Sequence, residues 1–230
     1  MSEYFLSGDP PVSISVRRSA RARRFSLRVS RLDGTVTLSV PRRAPLSEAV
    51  GFAEEKAEWI RKVRAGFPQP VPVGLGTVLP FEGRNLPVTA GRVRSAVVTD
   101  EAFLVPGDPA RVAAQVAAYC KIAARQRLQS ACEGYAAALG RPFKAITLRD
   151  TRSRWGSCTP DGKLMFSWRL VMAPPDVLAY VAAHEVAHLA EMNHSPAFWA
   201  VVARLMPDHA RHRQWLKRNG SALHRFQFGA

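Results

Sequence analysis

Residues 174–199 read PPDVLAYVAAHEVAHLAEMNHSPAFW, and the fold of this chain turns on them. Pro174, Pro175 and Asp176 suit the first turn of a helix. Proline loses no hydrogen bond there, and a carboxylate favours the positive end of the helix dipole. Val177, Leu178, Ala179, Tyr180, Val181, Ala182 and Ala183 follow, and Val186, Ala187, Leu189 and Ala190 continue the run. Apolar residues fall on nearly every side, which predicts a buried helix. His184, Glu185 and His188 sit in its middle. Buried ionisable groups are costly unless paired or bound to metal. A lone histidine in such a place is most simply a hydrogen-bonded core residue, but two histidines with a carboxylate between them point to a cation.

Their spacing supports a cation. Residues four apart lie one turn above each other on one helix face, so His184 and His188 can offer imidazoles to one ion. Glu185 is rotated about 100° from His184 and stands beside the ion, where it can deprotonate a zinc-bound water. This is the HExxH arrangement. With six histidines and ten glutamates in 230 residues, chance gives only about 0.007 such matches. Catalytic zinc takes three protein ligands and keeps an open position. His194 would lie about 15 Å from His184 along an unbroken helix, so it can serve as the third ligand only if the helix ends near Met192. Asn193 tolerates a left-handed C-cap, and Ser195-Pro196 can start a new helix, which leaves His194 in the turn between them. Glu191 continues the His184 face and remains an alternative ligand, with Cys158, His209, His212 and His224 as further candidates.

After the turn, Phe198, Trp199, Val202 and Leu205 form an apolar stripe read as core. Met206-Pro207 stops that helix, and Asp208 starts a last one expected to end at Asn219-Gly220. Before the turn, Asp108-Pro109 opens an alanine-rich helix running to about Leu139 and closed by Gly140. FKAITLRD, residues 143–150, reads as a strand, and residues 155–170 read as a hairpin turning at Pro160-Asp161-Gly162. Nearer the start, SISV, FSLRVS and TVTLSV alternate as strands between Val12 and Val40, with a turn at Asp33-Gly34. A helix capped by Ser47 follows, with Phe52, Lys56, Trp59 and Val63 along one side. It ends near Gly66, and Pro68, Pro70 and Pro72 mark a candidate linker. Gly74 to Pro106 reads as short strands. The expected class is α+β, with a β-rich region carrying one helix over residues 1–107 and a small zincin-like core over residues 108–230.

Bulk properties narrow the function. Hydrophobic residues make up 47% of the chain, which suits a globular protein. No stretch approaches the roughly 18 apolar residues of a membrane span, and the start does not resemble a secretory signal, so the expected location is cytoplasmic. Cys120, Cys132 and Cys158 form no CxxC pair, which argues against a disulfide framework or a cysteine zinc knuckle. The net charge of +15 makes nucleic acid a candidate partner, and residues 17–24, RRSARARR, hold five arginines. The same charge also serves plain solubility.

HEVAHLAEMNHSPAFW, the upstream RSRWGSC, FSWRLVMAPP, the late PDH and WL elements and the arginine-rich start before DGTVTLSVP resemble the YgjP-like metallopeptidases, a SprT-related group of predicted metal-dependent hydrolases. The resemblance implies a zincin-type core with zinc held by His184, His188 and His194, Glu185 as general base, and a peptide or protein substrate. It also implies that Leu164 to Leu170 acts as an edge strand for an extended substrate. Arg154, Trp155 and Ser167 are the substrate-binding candidates, although packing of Trp155 beside the helix would explain the RSRWGSC segment as well. Two other functions stay open: a nucleic-acid-binding protein with a structural zinc, and a protease acting on DNA-associated proteins.

Overall fold

A computed structural model describes residues 2–30, 34–65 and 69–229. The chain divides into two compact units, Met1–Gln69 and Pro70–Ala230, each with its own apolar core.

In the first unit, period-two alternation builds a four-stranded sheet. β1 (Ser2–Leu6), β2 (Val12–Ser19), β3 (Ser26–Val29) and β4 (Val36–Pro41) take the order β1-β2-β4-β3. β2 runs antiparallel to β1 and parallel to β4, while β3 is antiparallel to β4. Val12, Ile14, Val16, Val36, Leu38 and Val40 point into the core, as alternate positions on one sheet face must. β1 had no counterpart in the sequence reading. Asp33 of the expected turn and Gly66 and Pro68 of the expected helix end lie outside the described residues. The single expected helix is two, α1 (Leu46–Glu55) and α2 (Ala57–Ala65), broken at Lys56. Its start is Pro45, with no side-chain cap, rather than Ser47. Ala49, Ala53 and Ile60 form the buried stripe, and Trp59 is 48% exposed. The small side chains, and not the aromatic one, let these helices approach the sheet.

In the second unit, β5 (Val71–Pro72) precedes a four-stranded sheet of β6 (Val78–Phe81), β7 (Arg84–Ala90), β8 (Val97–Val98) and β9 (Phe103–Val105), ordered β6-β7-β9-β8. Asp108 accepts a bond from the Ala110 amide at 3.1 Å and starts a 3₁₀ turn that leads into α3 (Val112–Leu139). Gly140 closes α3 in the left-handed region, at φ 71°. A three-stranded sheet follows, with β10 (Ala145–Arg149), β11 (Gly156–Cys158) and β12 (Lys163–Ser167) in the order β10-β12-β11. The β11–β12 hairpin turns through Gly162 at φ 82°, as its Pro-Asp-Gly run predicts. Trp168–Met172 forms a 3₁₀ turn before α4 (Pro175–Ala187), α5 (Pro196–Leu205) and α6 (His209–Leu223), and β13 (Phe226–Gln227) pairs in parallel with β5.

Three expectations change here. The division falls at Gln69/Pro70, in the proline-rich linker candidate, and not at 107/108. Phe103 and Val105 of β9 share one core with Val112, Val116 and Cys120 of α3, so the strands before 107 pack with the helix after it. β12 is parallel to β10 on one side and antiparallel to β11 on the other, so it is the central strand and not an edge. Finally, α6 continues through Gly220 to Leu223. A Cβ on Gly220 would lie 3.0 Å from the Trp155 indole, so this glycine permits close packing instead of ending the helix.

Candidate metal centre

α4 packs against α3, α5, α6 and β11, which explains its nearly uniform apolarity. It carries His184 and Glu185 and ends at Ala187, about five residues before the expected stop, with His188 at its C-cap. The chain tightens there: the Leu189 amide reaches the Val186 carbonyl at 2.9 Å and the Ala190 amide reaches the Ala187 carbonyl at 3.0 Å. The His188 Nδ1 lies 3.0 Å from the Glu191 carbonyl and can donate to it, closing the turn with the ring itself. Asn193 is not left-handed: among the described non-glycine residues only Glu82 has positive φ. The turn instead closes with the Ser195 amide on the Asn193 carbonyl at 2.8 Å, and Ser195 caps α5 by accepting from the Phe198 amide.

This turn folds His194 back onto α4. Its Nε2 lies 3.0 Å from the His184 Nε2, and one ligand atom from each of His184, His188 and His194 lies within 4.8 Å of the others. Nitrogens about 2.1 Å from one tetrahedral ion stand roughly 3.3 Å apart, so small ring rotations suffice to bind one. The donor set fits a divalent cation. The Glu191 carbonyl fixes a proton on the His188 Nδ1, leaving Nε2 as the free lone pair, an arrangement metal-binding histidines favour. Burial, aided by the charges of His188 and His194, holds His184 down to about 3, and burial also lowers His188, which favours the neutral form that a cation needs. The His184 Nδ1 is buried without a hydrogen-bond partner among the described residues. Phe198, fully buried on α5, stacks on His188 with ring centres 4.5 Å apart, and Trp199 stacks on His194 at 6.0 Å. The apolar stripe of α5 therefore does hold the turn.

Glu185 is 5% exposed, and burial pushes its carboxyl up to about 8 against the opposing charge of Arg154. Its side chain lies against β11. A Cβ on Gly156 would stand 2.5 Å from the Glu185 Oε1 and 2.6 Å from its Cγ, so only glycine leaves room for this carboxyl. That gives the RSRWGSC segment a physical reason which the sequence did not reveal.

The remaining candidates separate. Arg154 is exposed and close enough to act on Glu185 through its charge. Trp155 packs on Gly220 and on His224, with ring centres 4.9 Å apart, so packing accounts for it without substrate. Ser167 is fully buried at the end of the central strand. Glu191 offers its carbonyl to His188, and its carboxylate does not join the metal group. His209 sits on the Met206 carbonyl and His212 on the Asp208 carboxylate, and neither joins the group of three histidines. Burial drives Cys158 up to about 11, which leaves an inert thiol.

Comparisons with known proteins bear on this geometry. No curated protein matches the chain. The crystal structure of the metallopeptidase zymogen of Pyrococcus abyssi abylysin is similar at 20% identity, covering 44% of this chain and 98% of its own, with a TM-score of 0.37. The family model for the YgjP-like metallopeptidase domain matches residues 23–219, from the arginine-rich strand region through the whole histidine group. By that match, the chain belongs to the YgjP-like metallopeptidase family.

Proposed function

We propose that the chain is a zinc-dependent peptidase in which His184, His188 and His194 hold the ion and Glu185 is the general base. The observation that carries this reading is the convergence of three imidazoles, two from α4 and its C-cap and one from the turn after it, beside a buried carboxyl. Nitrogen donors from three histidines suit zinc and leave a coordination position free. When bound, the ion supplies Lewis acidity that polarises the scissile carbonyl and acidifies water. Its charge also favours the ionised form of Glu185 over the protonated form that burial favours. Glu185 takes the proton of the attacking water and hands it to the departing amine. Arg154, exposed beside Glu185, is suited to meet the substrate carbonyl or a peptide carboxylate. Because β12 is paired on both sides, an extended peptide would instead add to the outer edge of β11, next to α4.

Zinc analysis tests the ligands: one ion per chain in the wild type, weakened at least about tenfold in His194→Ala. Glu185→Gln should keep the ion and lose about 10²–10⁴-fold in peptide hydrolysis. Full hydrolysis by that variant, or unchanged zinc affinity in His194→Ala, would remove the assignment. A structural zinc in a nucleic-acid-binding protein is the weaker alternative, since the group contains three ligands and not four.

A further inference from the structure

One cavity of the second unit lies apart from the histidine group. It measures about 840 Å³, within the range of small-molecule sites, and opens beside β10 and α3. Its wall is built from a stripe of α3 (Ala117, Lys121, Ile122, Arg125), the end of β10 with Arg149, and Arg152 just beyond it. Trp168, Arg169 and Phe228 also contribute. The lining thus carries Lys121, Arg125, Arg149, Arg152 and Arg169 beside one carboxylate, Asp150.

Asp150 is already committed. Arg169, 5% exposed, donates to both of its carboxylate oxygens, at 2.6 and 3.0 Å, and to the Leu223 and Phe226 carbonyls at 3.0 and 2.9 Å. That pair is neutral as a whole and offers nothing to Lys121 or Arg149. Arg149 has no carboxylate partner among the described residues, and Lys121 has only the Trp168 ring, 6.0 Å from its Nζ. Arg125 spends one nitrogen on the Ile146 carbonyl. The Trp168 Nε1 is buried and lacks a hydrogen-bond partner among the described residues. On a convex surface such charges would simply be solvated. Around a concavity with low-dielectric walls they reinforce one another and attract an anion.

We propose that this cavity binds a nucleoside phosphate unit, either free or as part of a nucleic acid strand. Several positive charges converging on one small volume suit a phosphate chain, which concentrates negative charge, better than a carboxylate, which brings one. Guanidinium groups match phosphate oxygens in pairs. Ile122, 61% exposed, together with Leu148 and Phe228, gives the same cavity an apolar surface for a base. This inference is independent of the peptidase reading.

The test is titration of the intact protein with fluorescently labelled adenosine triphosphate and, separately, a labelled single-stranded thymidine oligonucleotide. It compares Lys121→Glu/Arg149→Glu with Arg92→Glu/Arg94→Glu. All four residues are exposed, so both variants should fold, and each changes the net charge equally. The cavity variant should lose at least about tenfold in affinity, and the control less than about twofold. The probe that binds more tightly identifies the source of the phosphate. Equal losses in both variants would reduce the effect to net charge and overturn the proposal. So would polyglutamate displacing the nucleotide as readily as unlabelled nucleotide does, because the occupant would then be an acidic peptide.

Discussion

At the scale of single residues, the histidine group was legible because its chemistry is local: a hydrophobic helix cannot keep His184, Glu185 and His188 in its centre without a reason. The partners of those residues were not. Gly156 precedes Glu185 by 29 residues, and no pattern in the chain announces that its missing Cβ makes room for that carboxyl. Gly156→Ala should displace the carboxyl, lower kcat by about 10²-fold and leave zinc content unchanged. An unaltered kcat would mean the side chain moves aside without consequence. A second expectation concerns pH. In the metal-free protein, burial lifts Glu185 from 4.5 to about 8, so the folded state keeps a proton that the unfolded state releases between those values. Stability from this group is full below 4.5 and declines as pH rises toward 8. Metal-free Glu185→Gln should therefore melt higher than wild type by about 5 °C at pH 8, with little of that gain at pH 4. The depressed His184 acts in the opposite direction, losing stability as pH falls from 6.5 toward 3, but it is common to both proteins and cancels in the comparison. Equal gains at the two pH values would show that the carboxyl is not held in its neutral form.

At the scale of elements, capping and proline signals placed α3, α4 and α5 well, since Asp108, Pro175 and Ser195 act on adjacent backbone. Where an element stops depends more on distant packing. α4 ends early because its last histidine bonds the Glu191 carbonyl, and α6 runs on because Gly220 receives the Trp155 ring. Alternation along residues 163–170 said nothing of pairing on both sides, which requires knowing where β10 goes. Gly220→Val should cost about 1–3 kcal/mol by overpacking against Trp155, measured by denaturant unfolding. If Gly220 were only a helix end, valine there would change stability far less.

At the scale of the whole molecule, two separate cores share no residue, one in each compact unit. A fragment of residues 70–230 should unfold cooperatively and bind one zinc with near wild-type affinity, as followed by circular dichroism and metal titration. A fragment that stays unstructured would show that the strands before it complete its core. Composition suggested a boundary at Asp108 because the strand-rich region gives way there to alanine. The physical boundary follows instead which apolar faces meet, and Phe103 meets α3.

The Arg169 bracket also governs how far the chain can be cut back. Its guanidinium ties the Asp150 region to the carbonyls of Leu223 and Phe226, with the ring of Phe228 5.3 Å away. Trimming the tail after Ala222 would strand a cation in the interior with half its acceptors gone, a burden of several kcal/mol for a marginally stable domain. Residues 223–228 thus behave as a keystone for this buried cation.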